Sequence, residues 1–298
     1  MTTIRLGTRA SVLAQTQAGT VADALRSRGV AVEMVPMRSE GDTNRASLST
    51  LGGTGVFAAG LREALLAGEF DIVVHSYKDL PTAPHPGLEV IATPARADHR
   101  DVLCAQAPLA ELRAGARVGT GSPRRRAQLL AAREDLEVVD IRGNVDTRLA
   151  MVTDGALDGV VLAAAGLERI GRQEHIAEVF EWPTAPAQGA LAVEARTGDE
   201  EIAALVKQVD DERTGQAVAV ERAFLAELEA GCSAPLAASA TVRFGRVSLR
   251  AVAYSLDGQR RHGARLDDRL TDPEAIGVRA ARSLIQAGVQ EWLQAGSG

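Results

Sequence analysis

The sequence predicts an α/β protein, with two lobes of alternating strands and helices followed by a smaller α+β unit. Three observations carry that expectation. The chain has 298 residues, which is long for one hydrophobic core. Strand-like and helix-like segments alternate from Thr3 to Ala164, the pattern of a parallel sheet covered by helices. Two stretches rich in Pro and Ala, Ala92–Arg100 and Glu181–Gly189, interrupt this pattern as crossings between two lobes would. Such a pair of crossings implies a hinge with a cleft between the lobes. Apolar residues make up 46% and charged residues 24%, a globular mix that excludes disordered and fibrous classes.

In the first lobe, Thr3–Leu6 reads as a strand and Ser11–Arg28 as an amphipathic helix carrying Leu13, Ala18, Val21, Ala22 and Leu25. Gly29 stands where a helix ends in positive φ. Val30–Pro36 alternates like a strand, Val56–Ala67 reads as a helix stopped by Gly68, and Asp71–Ser76 is a buried type of strand. A second lobe starts near Arg100. It contains a short strand at Arg117–Gly119 and a helix at Pro123–Arg133, capped by Ser122 with Pro123 first. Leu136–Ile141 is a strand, Asn144–Thr153 a helix capped by Asn144, and Gly159–Ala164 an apolar strand. The character changes near Asp211. Ala217–Ala230 reads as a helix, Ala237–Leu256 as a strand pair and Pro273–Leu293 as one long final helix, with a frayed Gly-Ser-Gly end.

No apolar run reaches the ~18 residues needed to cross a bilayer, and MTTIRLGTRASVLAQ lacks the features of an export signal. A cytosolic protein without a membrane partner is the expectation. Two cysteines, Cys104 and Cys232, are too few for a disulfide framework. The net charge of −6 disfavours nucleic acid, and the five scattered histidines suggest no metal. Neither a P-loop nor a dinucleotide fingerprint occurs. Lys78 and Lys207 are the only lysines among 33 basic residues, so carboxylate or phosphate recognition would fall to arginine.

Leu6-Gly-Thr-Arg-Ala-Ser11 and Val118-Gly-Thr-Gly-Ser-Pro-Arg124 echo each other: strand, Gly-Thr, Ser, helix. A helix start with free amides, a hydroxyl and an arginine suits an anion. Ser122-Pro-Arg-Arg-Arg126 puts three cations on the first turn of a helix, an arrangement that opposes the helix dipole unless an anion joins them. Arg142-Gly-Asn-Val-Asp-Thr-Arg148 repeats this at the next strand-to-helix turn. His75-Ser-Tyr-Lys-Asp-Leu-Pro81 leaves a strand at its ligand end. Its Lys78–Asp79 pair is either a solvated ion pair or the site of an acid that moves a proton and stabilises a cation. Cys232 follows a helix and its Gly231 stop; such a cysteine serves as a group carrier, a nucleophile or an inert thiol. Cys104, in an apolar run, suits the inert role.

Taken together, these motifs resemble the porphobilinogen deaminase family along nearly the whole chain. His75–Pro81, Gly119-Thr-Gly-Ser-Pro-Arg-Arg125, Arg142–Arg148, Ala163-Ala-Ala-Gly-Leu-Glu-Arg169, Gln188-Gly-Ala190 and Gly231-Cys232 occur in the family's order. The resemblance implies two doubly wound lobes like those of type II periplasmic binding proteins, plus a smaller α+β domain carrying the cofactor loop. Its boundaries are 1–94 plus 189–208, 99–184, and 212–298. It implies a transferase that joins four porphobilinogen units head to tail, releasing ammonia, to give the linear tetrapyrrole hydroxymethylbilane. The implied cofactor is a dipyrromethane primer held by a thioether to Cys232, with no metal.

By the same resemblance Asp79 is catalytic. Ser76, Lys78, Asp79, Thr120, Ser122, Arg124, Arg125 and Arg148 would bind the primer, and Arg9, Ser11, Arg142, Arg169 and Gln188 the incoming or growing rings. A cytoplasmic monomer is implied. This chain reads Gly52-Gly-Thr-Gly-Val-Phe57 where many relatives have Gly-Gly-Lys-Gly before Phe, and Asp42–Leu51 lacks a common lysine, leaving Arg45 as the substitute. Ala230 replaces the first Gly of the usual Gly-Gly-Cys. Two other readings stay open. A non-catalytic two-lobed binding protein for an anionic small molecule would leave Asp79 and Cys232 without a task. A cysteine-nucleophile transferase would want a base near Cys232, and that segment offers none.

Overall fold

A computed structural model describes residues 3–37, 56–228 and 234–294. The Asp42–Leu51 loop with Arg45, Gly52–Gly55, Ala230–Cys232 and the Gly-Ser-Gly end lie outside the described residues. The chain divides into two compact units. Met1–Ala97 and Gly189–Val218 form one, and Asp98–Gln188 and Ala219–Gly298 form the other.

The first unit contains β1 (Thr3–Arg9), α1 (Val12–Arg26), β2 (Ala31–Met37), α2 (Val56–Leu66), β3 (Ile72–Ser76) and β4 (Leu88–Ala92). After residues 98–188, which belong to the other unit, the chain returns to it with β10 (Leu191–Arg196) and α6 (Glu200–Val206). The strand order is β2-β1-β3-β10-β4. β1, β2 and β3 are parallel, while β10 runs antiparallel to both β3 and β4. The sheet is therefore mixed, where the alternation predicted a parallel one. The antiparallel strand enters directly from the second crossing, so no helix intervenes to reverse the chain. Helix α1 forms as its sequence suggests. Ser11 Oγ accepts from Ala14 N at 3.3 Å, and the face bearing Ala18, Val21, Ala22 and Leu25 packs on Ile4, Leu6, Ile72 and Val193. Each large aliphatic side chain so buried contributes about 1.5–3 kcal/mol.

The second unit repeats that layout with β5 (Asp101–Ala105), β6 (Arg117–Gly119), α3 (Pro123–Ala132), β7 (Glu137–Val139), α4 (Val145–Thr153), β8 (Gly159–Ala163), α5 (Ala164–Arg169) and β9 (Ile176–Val179). Its order is β7-β6-β8-β5-β9, again with one antiparallel insertion, β5 between β8 and β9. Both faces are covered. Val160 and Leu162 pack with Leu149 and Leu167, and Val161 packs with Leu103, Val118 and Leu129. That two-sided burial explains the unbroken apolar run of β8.

Helix α7 (Glu212–Glu227) leads to β11 (Leu236–Arg243), β12 (Arg246–Tyr254) and β13 (Arg261–Arg269), an antiparallel sheet, followed by α8 (Pro273–Gln286) and α9 (Val289–Gln294). The expected strand pair thus has a third member. β13 reads RHGARLDDR with most of its residues exposed, so no hydrophobic run announces it. The expected long final helix is two, parted by Gly288 at φ +78°. A Cβ on Gly277 of α8 would lie 2.8 Å from Phe224 N, so only glycine allows this approach of α8 to α7.

Glu221 is buried on α7 and accepts from Ala187 N at 2.6 Å and Ala240 N at 2.7 Å. It holds Ala187, a non-glycine residue at φ +61°, against β11. Glu221→Ala should strand both amides and lower unfolding stability by about 2 kcal/mol or more. The urea midpoint measures this, and Glu221→Gln, which keeps one acceptor, should lose less.

Candidate functional site

The residues singled out from the sequence fall into two groups, one in each unit. In the first unit they lie at the carboxyl ends of the neighbouring strands β1 and β3, where open α/β sheets bind ligands. Arg9 ends β1, and Ser11 caps α1. Ser76 ends β3, and Tyr77–Asp79 forms a 3-10 turn. That turn is held at both ends. Tyr77 N donates to Ala190 O at 3.0 Å, and Leu80 is buried with Ala58 and Ala192. Lys78 is half-buried and Asp79 exposed. Gln17, buried on α1, donates through Nε2 to Ser76 Oγ at 2.9 Å. The sequence reading passed over Gln17, whose only signal was a polar side chain on the apolar face of a helix.

Beneath this edge lies a second feature that the sequence did not disclose. Glu194 of β10 is buried, takes Arg62 Nε and Nη2 at 2.9 and 2.8 Å, and lies 3.3 Å from His75 Nε2. Burial pushes the Glu194 carboxyl up, but His75 and Arg62 outweigh it and bring it down to about 2.

In the second unit the residues again gather at carboxyl strand ends. Thr120 and Ser122 follow β6, Arg142 and Arg148 flank the start of α4, and Arg169 ends α5 beyond β8. Ser122 Oγ caps α3 at Arg125 N (3.4 Å), and Ser122 N donates to Thr120 Oγ1 at 3.2 Å. A Cβ on Gly121 would lie 2.7 Å from Ile141 O, so the turn demands glycine. Asn144 Oδ1 caps α4 at Thr147 N (2.8 Å), while Arg148 Nε donates to Gly143 O at 2.9 Å.

Arg124 and Arg125 are not on the surface. They are 3% and 6% exposed and share Asp101, which is 0% exposed. Arg124 Nη1 reaches Asp101 Oδ2 at 2.5 Å, and Arg125 Nε and Nη2 reach Oδ1 at 2.9 and 2.7 Å. Gln188 Nε2 donates to the same carboxylate at 2.9 Å. The structure thus brings Arg124, Arg125 and Gln188 together around an acid the sequence reading overlooked. Burial pushes the Asp101 carboxyl up, yet the two guanidiniums and Gln188 hold it well below the usual range. Arg148 has no ion pair among the described residues. Burial first, and then the charges of Arg125 and Arg142, lower its guanidinium to about 10, opposed by Asp140. Burial also lowers Arg169. Arg124 and Arg125 share the Asp101 carboxylate, Arg142 pairs with Asp140, and Arg148 meets a backbone carbonyl, so these four guanidiniums outnumber the two carboxylates paired with them, a surplus that favours a ligand bearing carboxylates.

Comparison with known proteins decides the family. Residues 4–204 match "Porphobilinogen deaminase, dipyromethane cofactor binding domain", and residues 216–286 match "Porphobilinogen deaminase, C-terminal domain". The chain belongs to the porphobilinogen deaminase family. Porphobilinogen deaminase of Leifsonia xyli is 52% identical over 99% of this chain and 93% of its own length. Those of Nocardia farcinica and Thermobifida fusca are each 48% identical, covering 98% and 97% of this chain and 88% and 95% of theirs. Among solved structures, the methionine-binding protein MetQ matches at 13% identity and a TM-score of 0.47, over 74% of this chain and 94% of that one. Family membership agrees with the resemblance drawn from the motifs and makes the first matched region a dipyrromethane-binding domain. Cys232 itself lies outside the described residues. Among the described residues no helix is long and apolar enough to cross a membrane, and no cluster suits a metal.

Two outcomes follow for stability. Arg124→Ala leaves Asp101 with one guanidinium in a closed site and should cost about 3–5 kcal/mol, whereas Arg142→Ala, at a more exposed pair, should cost less than about 1 kcal/mol. Urea unfolding compares them. Glu194, depressed from 4.5 to about 2, contributes stability that is complete above the unfolded value and lost as pH falls toward 2. Acid titration should therefore unfold the parent along a steeper profile between those values than it does Glu194→Gln.

Proposed function

We propose that this chain joins four porphobilinogen units head to tail, with loss of ammonia at each addition, to give hydroxymethylbilane. The observation that carries the reading is the guanidinium surplus of the second unit, lying inside the region matched as a dipyrromethane-binding domain. Each porphobilinogen ring bears an acetate and a propionate, so primer, substrate and growing chain are all polyanions. Guanidiniums pair with carboxylates through parallel hydrogen bonds, which suits an arginine-rich site.

Cys232 is proposed to carry the primer through a thioether, a bond that survives water while product is cut away. When bound, the dipyrromethane supplies the pyrrole carbon to which the first unit is joined. Arg124, Arg125 and Arg148, with Ser76, Lys78, Thr120 and Ser122, are assigned to its carboxylates. Arg9, Ser11, Arg142, Arg169 and Gln188 are assigned to incoming and growing rings. Asp79 is assigned the catalytic role. As the C–N bond of the substrate's protonated aminomethyl group breaks, the electron pair leaves with ammonia and the ring is left as a delocalised cation; the pyrrole carbon that then bonds to its methylene gives up its hydrogen as a proton. The Asp79 carboxylate stabilises that charge and holds the pyrrole NH groups. Its turn is anchored by Leu80 and by Ala190 O, so the carboxylate needs little reorganisation.

The proposal includes three domains, 1–94 plus 189–208, 99–184 and 212–298, and a cytoplasmic monomer acting without nucleic acid or membrane. Intact mass spectrometry tests its centre. The parent protein should carry the excess mass of a dipyrromethane, absent from Cys232→Ser, and should gain a ladder of further rings on brief exposure to porphobilinogen. A parent that stays bare would overturn the reading. Asp79→Asn should keep the primer mass while turnover falls about a hundredfold or more.

A further inference from the structure

Asp101 takes no part in the reaction just described, yet its carboxylate is wholly enclosed and holds two guanidiniums. Stability alone is a poor reason for such a cluster. Taking three charged groups from water costs several kcal/mol per ion, and an apolar packing of the same volume does as well or better. What the arrangement does supply is fixed orientation. Arg125 gives Nε and Nη2 to Asp101, Nη1 to Val161 O at 3.1 Å, and Nη2 also to Gln188 Oε1 at 3.3 Å. Arg124 Nη1 is shared between Asp101 and Gln128 Oε1 (2.7 Å), and Gln128 is itself tied to Pro183 O at 2.8 Å. Gln188 Nε2 binds Asp101 and His99 O.

The charge count matters as much. One carboxylate between two guanidiniums leaves a single positive charge, and the neighbouring Arg148 feels Arg125 as a like charge. Without the carboxylate the two guanidiniums would repel each other out of the enclosed site. With a second one nothing would remain to attract an anion.

We propose that Asp101 is a positioning residue for primer capture, holding Arg124 and Arg125 in one orientation and cancelling one of their charges, so that a single fixed positive charge stands next to Arg148 for a carboxylate. This rests on the dipyrromethane reading.

The test measures loading rather than turnover. Full-length apo-protein, expressed without a porphobilinogen supply, is incubated with porphobilinogen, and the fraction carrying primer mass is followed over time. Circular dichroism and urea unfolding confirm that each variant is folded. Asp101→Asn, which keeps the shape and loses the charge, should load roughly tenfold to a hundredfold more slowly than the parent. Asp101→Glu, which restores the charge one methylene away, should load at an intermediate rate. Folded Asp101→Asn loading within twofold of the parent rate overturns the proposal. If Asp101→Asn does not fold, Asp101→Glu decides: slowed loading supports it, and the parent rate overturns it. Failure of the dipyrromethane reading is seen separately, as a parent that acquires no primer mass, and takes this proposal with it.

Discussion

Cations on the first turn of a helix work against its dipole, and α3 carries Arg124, Arg125 and Arg126 there. The second unit is organised around that constraint. Arg126 reaches out to Val138 O at 2.7 Å, in the middle of β7, the parallel neighbour of β6. Arg124 and Arg125 turn inward to Asp101, which opens β5. Asp101 can be there only because β5 is antiparallel. It lies level with Ala163, the last residue of β8, so the first residue of β5 stands at the edge where the parallel strands end. A parallel strand in that place would have put its first residue at the opposite edge.

The same logic operates in the first unit. β10 is its antiparallel insertion, and Leu191 lies level with Ser76, the last residue of β3. Ala190 O, just before it, is thereby placed to accept from Tyr77 N and hold the turn that presents Asp79. Each sheet thus receives, straight from a crossing, a strand whose beginning stabilises the functional edge. The Gly-Thr echo acquires a structural meaning here. β1 and β6 occupy the same place in the two orders, and each leads into a serine-capped helix, through Ser11 and Ser122.

What could be read from the sequence were the features with local causes. The helices capped by Ser11, Ser122 and Asn144 begin where their caps put them, because a side-chain oxygen meeting a free amide is decided within four residues. β3 and β8 announced themselves by apolar runs. The partners of those elements were not legible. Asp101 reads as the start of an apolar run, and its two arginines lie 23 and 24 positions away. Glu194 and Arg62 are 132 positions apart. Such pairs depend on strand order and direction, which no periodicity encodes. β13 escaped for the opposite reason, since a mostly exposed strand has no apolar face to declare.

These differences in burial divide the cations into two kinds. Arg124 and Arg125 are enclosed, with their guanidiniums held by acceptors on β5, β8 and the second crossing. Arg142, by contrast, is held by a single 3.3 Å contact to Asp140. A guanidinium fixed on several sides can serve one geometry only, which suits a group that stays attached through every cycle. One held by a single exposed contact can exchange that contact for a carboxylate at little cost, because such pairs are worth no more than about 1 kcal/mol. Under the proposed function, a polyanion that lengthens ring by ring needs both: rigid charge where the primer stays, and exchangeable charge where each new ring arrives.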